Sequence, residues 1–145
     1  MRLLKILVFL LSLFSVTVCV KANVMEQSTD SSGDKTTQVF RQCIDRSGGA
    51  TFAMHDCTYA EIEYQKKELT KLYQATLKQL PKNRQKVLQR AQSAWVAYYK
   101  VACEVYRDER AGQSAITNTD GCYLNLVVDR VEVMKSLHDA ALNLK

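Results

Sequence analysis

Apolar residues recur at steps of three and four over three long stretches of the chain, the repeat of helices buried along one side. The clearest stretch is the middle one. Leu88, Ala91, Trp95, Tyr98, Ala102 and Val105 mark one face, within a run over 92–103 that holds the only Trp of the sequence. We read it as the central helix, with Trp95 and Tyr98 anchoring it in the core. Pro81 suits its first turn, where a missing N–H costs no bond, and its end falls near residue 110. Upstream, Met54, Cys57, Ile62, Leu69, Leu72, Tyr73, Thr76 and Leu80 trace a less regular face. They predict a helix from an N-cap at Thr51 to about residue 79. Downstream, Leu124, Val127, Val131, Met134, Leu137 or His138, and Ala141 predict a third helix over about 122–144. A short helix over 37–46 is stopped by Ser47-Gly48-Gly49-Ala50, and residues 111–121, with Gly112, Gln113, Ser114, Asn118, Asp120 and Gly121, read as a loop. The expected fold is all-α: a small antiparallel three-helix bundle with a short N-terminal helix.

The first residues have a different logic. Arg2 and Lys5 precede an apolar run over 6–18, and Val20-Lys21-Ala22 places small residues where a signal peptidase needs them. Residues 1–22 read as a signal peptide cleaved before Asn23, since the run is shorter than the ~20 residues of a spanning helix. Lipid attachment at Cys19 is the competing reading, disfavoured because Val18 stands where a lipoprotein pattern wants Gly or Ala. Residues 23–37 are polar and read as a flexible leader. That leaves residues 38–145, the size of one domain, in a periplasmic or secreted protein with no stable membrane anchor.

Cleavage changes the charge. It removes Arg2, Lys5 and Lys21 and no acid, so 20 basic groups become 17 against 15 acidic ones and the net charge falls from +5 to +2. A near-neutral domain lacks the concentrated basic face of a nucleic-acid binder. Lys66-Lys67 is interspersed with Glu61, Glu63 and Glu68, the pattern of a solvated helix face. His55, near a helix start, is expected in solvent, and His138 partly buried.

Without Cys19, four cysteines remain: Cys43, Cys57, Cys103 and Cys122. An even number in an exported chain reads as two disulfides. No pair has the close spacing of a structural zinc site, so no metal is expected. Cys57 and Cys103 lie at similar distances on either side of Pro81, roughly 33–36 Å of helix, so a hairpin brings them level. All four sulfurs then gather at the end opposite Pro81, and three pairings are open. Cys43–Cys57 with Cys103–Cys122 closes two short Gly-containing loops and is favoured; Cys57–Cys103 with Cys43–Cys122 is the rival.

No catalytic set is visible. Asp108-Glu109 and Glu61-Glu63 are not placed on one face for acid–base work. There is no phosphate loop, nucleophile elbow or zinc-protease pattern, so neither an enzyme nor a cofactor is expected.

Cys43, Thr51-x-x-Met54-x-x-Cys57, Glu61, Leu69, Tyr73, Leu77, residues 85–88, Ala91-Gln92-x-Ala94-Trp95, Cys103, a Gly-containing loop and Cys122 stand in one order. That order resembles the LprI-type lysozyme inhibitor family, small exported bacterial helical domains formerly of unknown function. The resemblance covers about residues 40–140. Tyr99-Lys100 stand where the family commonly has Arg-Asp, and Ala111-Gly112-Gln113-Ser114 where it tends to Gly-Gly-Ser. The resemblance implies a place in the bacterial envelope, a protein partner and, for at least some members, inhibition of lysozyme. An inhibitor must bring side chains to two carboxylates in a cleft. Arg107, Asp108, Arg110, Gln113 and Ser114, on a loop braced by Cys103 and Cys122, are the candidate partner-binding residues. The alternative is a non-catalytic adaptor that binds an envelope partner through a helical face.

Overall fold

The computed structural model describes residues 35–143; the expected signal peptide, Cys19 and residues 23–34 of the expected leader lie outside them. Four helices follow in order: α1 (Gln38–Arg46), α2 (Thr51–Gln79), α3 (Lys82–Ala102) and α4 (Gln113–Leu142), with single 3-10 turns at Glu104–Tyr106 and Glu109–Ala111. There is no strand among the described residues, and the fold is all-α.

Helices α2 and α4 pack along one another in the same direction: Thr51 meets Gln113, His55 meets Asp120 and Thr76 meets His138. Helix α3 returns against them. Gln85 Nε2 donates to the carbonyls of Leu77 and Leu80 at the α2–α3 corner, and Gln92 accepts from Arg130 of α4. The centre is Ile62 and Leu69 of α2, Leu88 of α3, and Leu124, Val127, Val128, Val131 and Met134 of α4. Each such side chain, fully buried, contributes roughly 1.5–3 kcal/mol.

Cys43–Cys57 ties α1 to α2, and Cys103–Cys122 ties the end of α3 to α4, with Cα separations of 5.7 and 5.8 Å. The linker after α1 turns at Gly48 and Gly49, whose φ values of 59° and 81° suit glycine.

Four expectations are corrected. Helix α4 starts at Gln113, not near 122, so most of the expected 111–121 loop is helix. A polar stretch with Gly121 in it has poor intrinsic helicity. Burial of Thr119 and the anchor at Cys122 hold it instead. Helix α3 ends at Ala102 rather than near 110, because the Cys103 bond to α4 turns the chain there. Tyr98 is not a core anchor: it is 56 % exposed, and Tyr99 packs against the core in its place, beside Trp95. Helix α3 in fact carries two apolar stripes. Leu88, Trp95, Tyr99 and Ala102 turn inward, while Ala91, Tyr98 and Val105 belong to an exposed one. Glu61, expected on a solvated face, is buried. It accepts from the backbone N–H of Thr37 at 3.0 Å, the Thr37 hydroxyl at 2.6 Å and Gln65 Nε2 at 2.8 Å. Thr37 Oγ1 in turn accepts from the Phe40 N–H and caps α1. A buried carboxylate needs such donors.

Candidate partner-binding site

At the disulfide end, the segment between Cys103 and Gln113 is too short to wander and too polar to bury. It folds into its two 3-10 turns and reverses at Gly112, whose φ of 56° and ψ of −130° are open essentially to glycine alone. Asp108 caps the second turn by accepting from the Arg110 N–H at 2.9 Å, and also takes the Arg110 guanidinium at 3.2 and 3.3 Å. Those bonds hold the Asp108 carboxyl below its usual range. Arg107 pairs with Glu104 at 3.2 Å. Glu104 also accepts the Tyr123 hydroxyl at 2.6 Å, which raises the Tyr123 phenol. The Arg110 side chain is 91 % exposed.

Two adjoining clefts flank this segment. One, of about 490 Å³, lies between the segment and α4, walled by Arg107, Asp108, Ala115 and Ile116. The other, of about 310 Å³, is walled by Tyr59, Lys66, Tyr99 and Tyr123. Both are lined by His55, Arg107, Thr119 and Asp120. His55 therefore does not stand free in solvent as expected: its Nδ1 lies 2.7 Å from Asp120 Oδ2. Thr119 Oγ1 is buried and has no hydrogen-bond partner among the described residues. Tyr99 and Tyr123 line the second cleft with their rings tilted at 52° and centroids 5.1 Å apart, and Tyr99 in turn lies 5.1 Å from the Trp95 ring. Lys66 Nζ sits 5.4 Å over the Tyr99 ring. Burial pulls the Lys66 ammonium down, but its bond to Glu63 and the Tyr99 phenol outweigh this and leave it raised. Tyr99, noted above as a departure from the pattern the chain resembles, thus turns its ring toward the core.

Of the candidate residues, Arg107 and Asp108 form cleft wall and Arg110 stands out from it. Gln113 and Ser114 are engaged in starting α4: Gln113 accepts from the Thr51 hydroxyl at 3.0 Å and Ser114 donates to the Ala111 carbonyl at 2.8 Å. His55, Thr119, Asp120 and Tyr123 are not among the site residues the sequence suggests, since they lie on two helices whose alignment only the fold provides. The described residues include no cluster of His, Cys, Asp or Glu able to hold a metal.

Fold and site together define a small disulfide-stapled helical domain with an exposed polar edge at its disulfide end. The profile described as "Lysozyme inhibitor LprI" matches residues 29–133, and the chain belongs to that family. No curated protein and no solved structure matches the chain. Two disulfides and this membership are those of an exported protein whose partner is a protein. Among the described residues, no helix is long and apolar enough to cross a membrane.

Proposed function

We propose that the protein is a non-catalytic inhibitor, released into the periplasm or secreted after loss of residues 1–22, that binds a lysozyme-type muramidase. The contact edge is the segment 107–112 with the adjoining start of α4. The observation that carries this reading is the family match over 29–133. The geometry of the edge supports it. Arg110 stands almost fully out from the domain, paired with the exposed carboxylate of Asp108 two residues away. A muramidase cleft presents two carboxylates to such a guanidinium, and a bidentate pairing there is stronger and more directional than one with Lys.

The test is titration of the oxidised protein against animal and phage-type lysozymes acting on cell walls. Inhibition is expected, with the double variant Arg107→Glu/Arg110→Glu at least about tenfold weaker, the loss of roughly 1.4 kcal/mol of interfacial charge pairing. Inhibition untouched by the variant removes the edge and keeps the function. No inhibition of any lysozyme at micromolar protein removes the function and favours an adaptor.

A further inference from the structure

The net charge of +2 left after cleavage conceals a division within the chain. Residues 69–103 contain seven basic residues and no acid, leaving 10 basic against 15 acidic groups in the remainder of 23–145. Helix α3 carries five of the seven: Lys82, Arg84, Lys86, Arg90 and Lys100. All five are exposed, and none has an ion pair among the described residues. The acids that border the stretch are already engaged, Glu68 by Lys71 at 2.6 Å and Glu104 by Arg107 at 3.2 Å and by the Tyr123 hydroxyl. Stability alone disfavours this placement twice. Lys82 and Arg84 stand in the first turn of α3, where the helix dipole favours acids and there is none. Lys82, Lys86 and Arg90 then repeat at steps of four, so like charges sit one above another along one row. An anionic partner outside the chain would turn both costs into attraction.

We infer that α3 docks on an anionic phospholipid surface, with its cations against the phosphates and its exposed apolar side chains in the interface. Lys82, Lys86 and Arg90 share a groove of about 880 Å³ with Asn83, Gln89 and Ser93, whose amides and hydroxyl are further donors for a phosphate headgroup. Beyond that groove the helix continues with Ala94, Tyr98 and Val101, all exposed. A dissolved polyanion is held by charge alone. A bilayer surface takes cations together with apolar and tyrosine side chains, the composition of a basic amphipathic helix lying in the interface. At about 32 Å from its helical rise, α3 is long enough to lay the basic half and the apolar half on one plane. Each cation near an anionic leaflet strengthens binding about fivefold. Attachment of this kind is peripheral and reversible, in keeping with the lack, among the described residues, of a helix able to cross a membrane.

The experiment is cosedimentation of the oxidised protein, recovered from cells expressing the full chain, with vesicles of phosphatidylcholine alone or with about 30 % phosphatidylglycerol. No lysozyme enters the test, so its outcome is independent of the muramidase reading. Binding to the anionic vesicles is expected, about a hundredfold stronger than to the neutral ones, and lost when salt is raised from about 50 to 500 mM. Lys82→Gln/Lys86→Gln/Arg90→Gln weakens it about a hundredfold, three cations at about fivefold each. Tyr98→Ser/Val101→Ser weakens it at least about threefold. Arg41→Gln/Arg46→Gln/Lys135→Gln, the same charge change on α1 and α4, leaves it within about threefold of the parent. Circular dichroism of each variant checks that it is folded; the substituted side chains of α3 are exposed, so unfolding is not expected. Equal binding to neutral and anionic vesicles, or none at about 5 mM lipid, overturns the inference. So does an equal loss in the two triple variants, which would make binding a matter of net charge. Displacement by inorganic polyphosphate, together with indifference to Tyr98→Ser/Val101→Ser, would make the partner a dissolved polyanion and overturn it as well.

Discussion

At the scale of the residue, Glu61 shows how a polar side chain can fix the fold. It receives three hydrogen bonds, two of them from Thr37, so it joins the start of α1 to the middle of α2. Glu61→Leu keeps the volume near the core and strands those donors. The expected cost is about 2–3 kcal/mol, read as a lower urea midpoint with an unchanged slope. The periodicity of α2 could not show this, because Glu61 stands among Glu63, Lys66, Lys67 and Glu68, and only α1 folding over it takes it out of water. Tyr99 carries a second prediction. Burial pushes its phenol above the usual value, against the pull of the Lys66 ammonium. The folded chain therefore holds this proton more tightly than the unfolded one. The associated stability is complete below the ordinary tyrosine value near pH 10 and is lost as pH rises toward the folded value. Tyr99→Phe is expected to flatten the decline in stability measured between pH 9.5 and 11; a decline of unchanged steepness would assign it to other groups.

At the scale of the element, the two glycines at either end of the expected 111–121 loop have opposite roles. Gly121 lies within α4, and a Cβ built on it meets nothing within 4 Å. Gly121→Ala should stabilise the protein by roughly 0.5–1 kcal/mol, the difference in helix propensity. Gly112, at a positive φ before the first residue of α4, has open space too, yet Gly112→Ala should cost about 1–3 kcal/mol in backbone strain. Thermal unfolding of the two variants separates these cases by sign; equal shifts would mean that α4 does not start at Gln113. The same pair explains what was legible. The long faces of α2 and α4, and the break at Gly48-Gly49, could be read directly because strong apolar spacing and consecutive glycines are local signals. The first turns of α4 could not, since their helicity comes from Thr119 burial, the His55–Asp120 pair and the Cys122 anchor, all of them contacts between distant parts of the chain. Helix α3 misled in a narrower way. With Leu88, Trp95 and Tyr99 on one stripe and Ala91, Tyr98 and Val105 on its neighbour, spacing alone cannot say which of two apolar stripes faces the core.

At the scale of the whole molecule, the two disulfides close loops of similar length, with sequence separations of 14 and 19, and should stabilise similarly, by about 3 kcal/mol each in the loop-entropy account. Their positions differ in kind. Cys43–Cys57 fastens α1, which Thr37 and Glu61 also hold, and lies outside the segment proposed to meet the muramidase. Cys103–Cys122 spans that segment and sets the ends from which Arg107 and Arg110 project. Ordering such a loop in advance removes entropy that binding would otherwise lose. The paired variants Cys43→Ser/Cys57→Ser and Cys103→Ser/Cys122→Ser are therefore expected to unfold at comparably lowered temperatures. Assayed cold, where circular dichroism shows both folded, only the second should inhibit lysozyme more weakly, by about tenfold, because a loosened loop has side-chain and backbone freedom to lose on binding. Equal loss in both variants would mean that the staples act on inhibition through overall stability alone. A greater loss in the first would move the contact surface from the 107–112 edge to the α1–α2 junction.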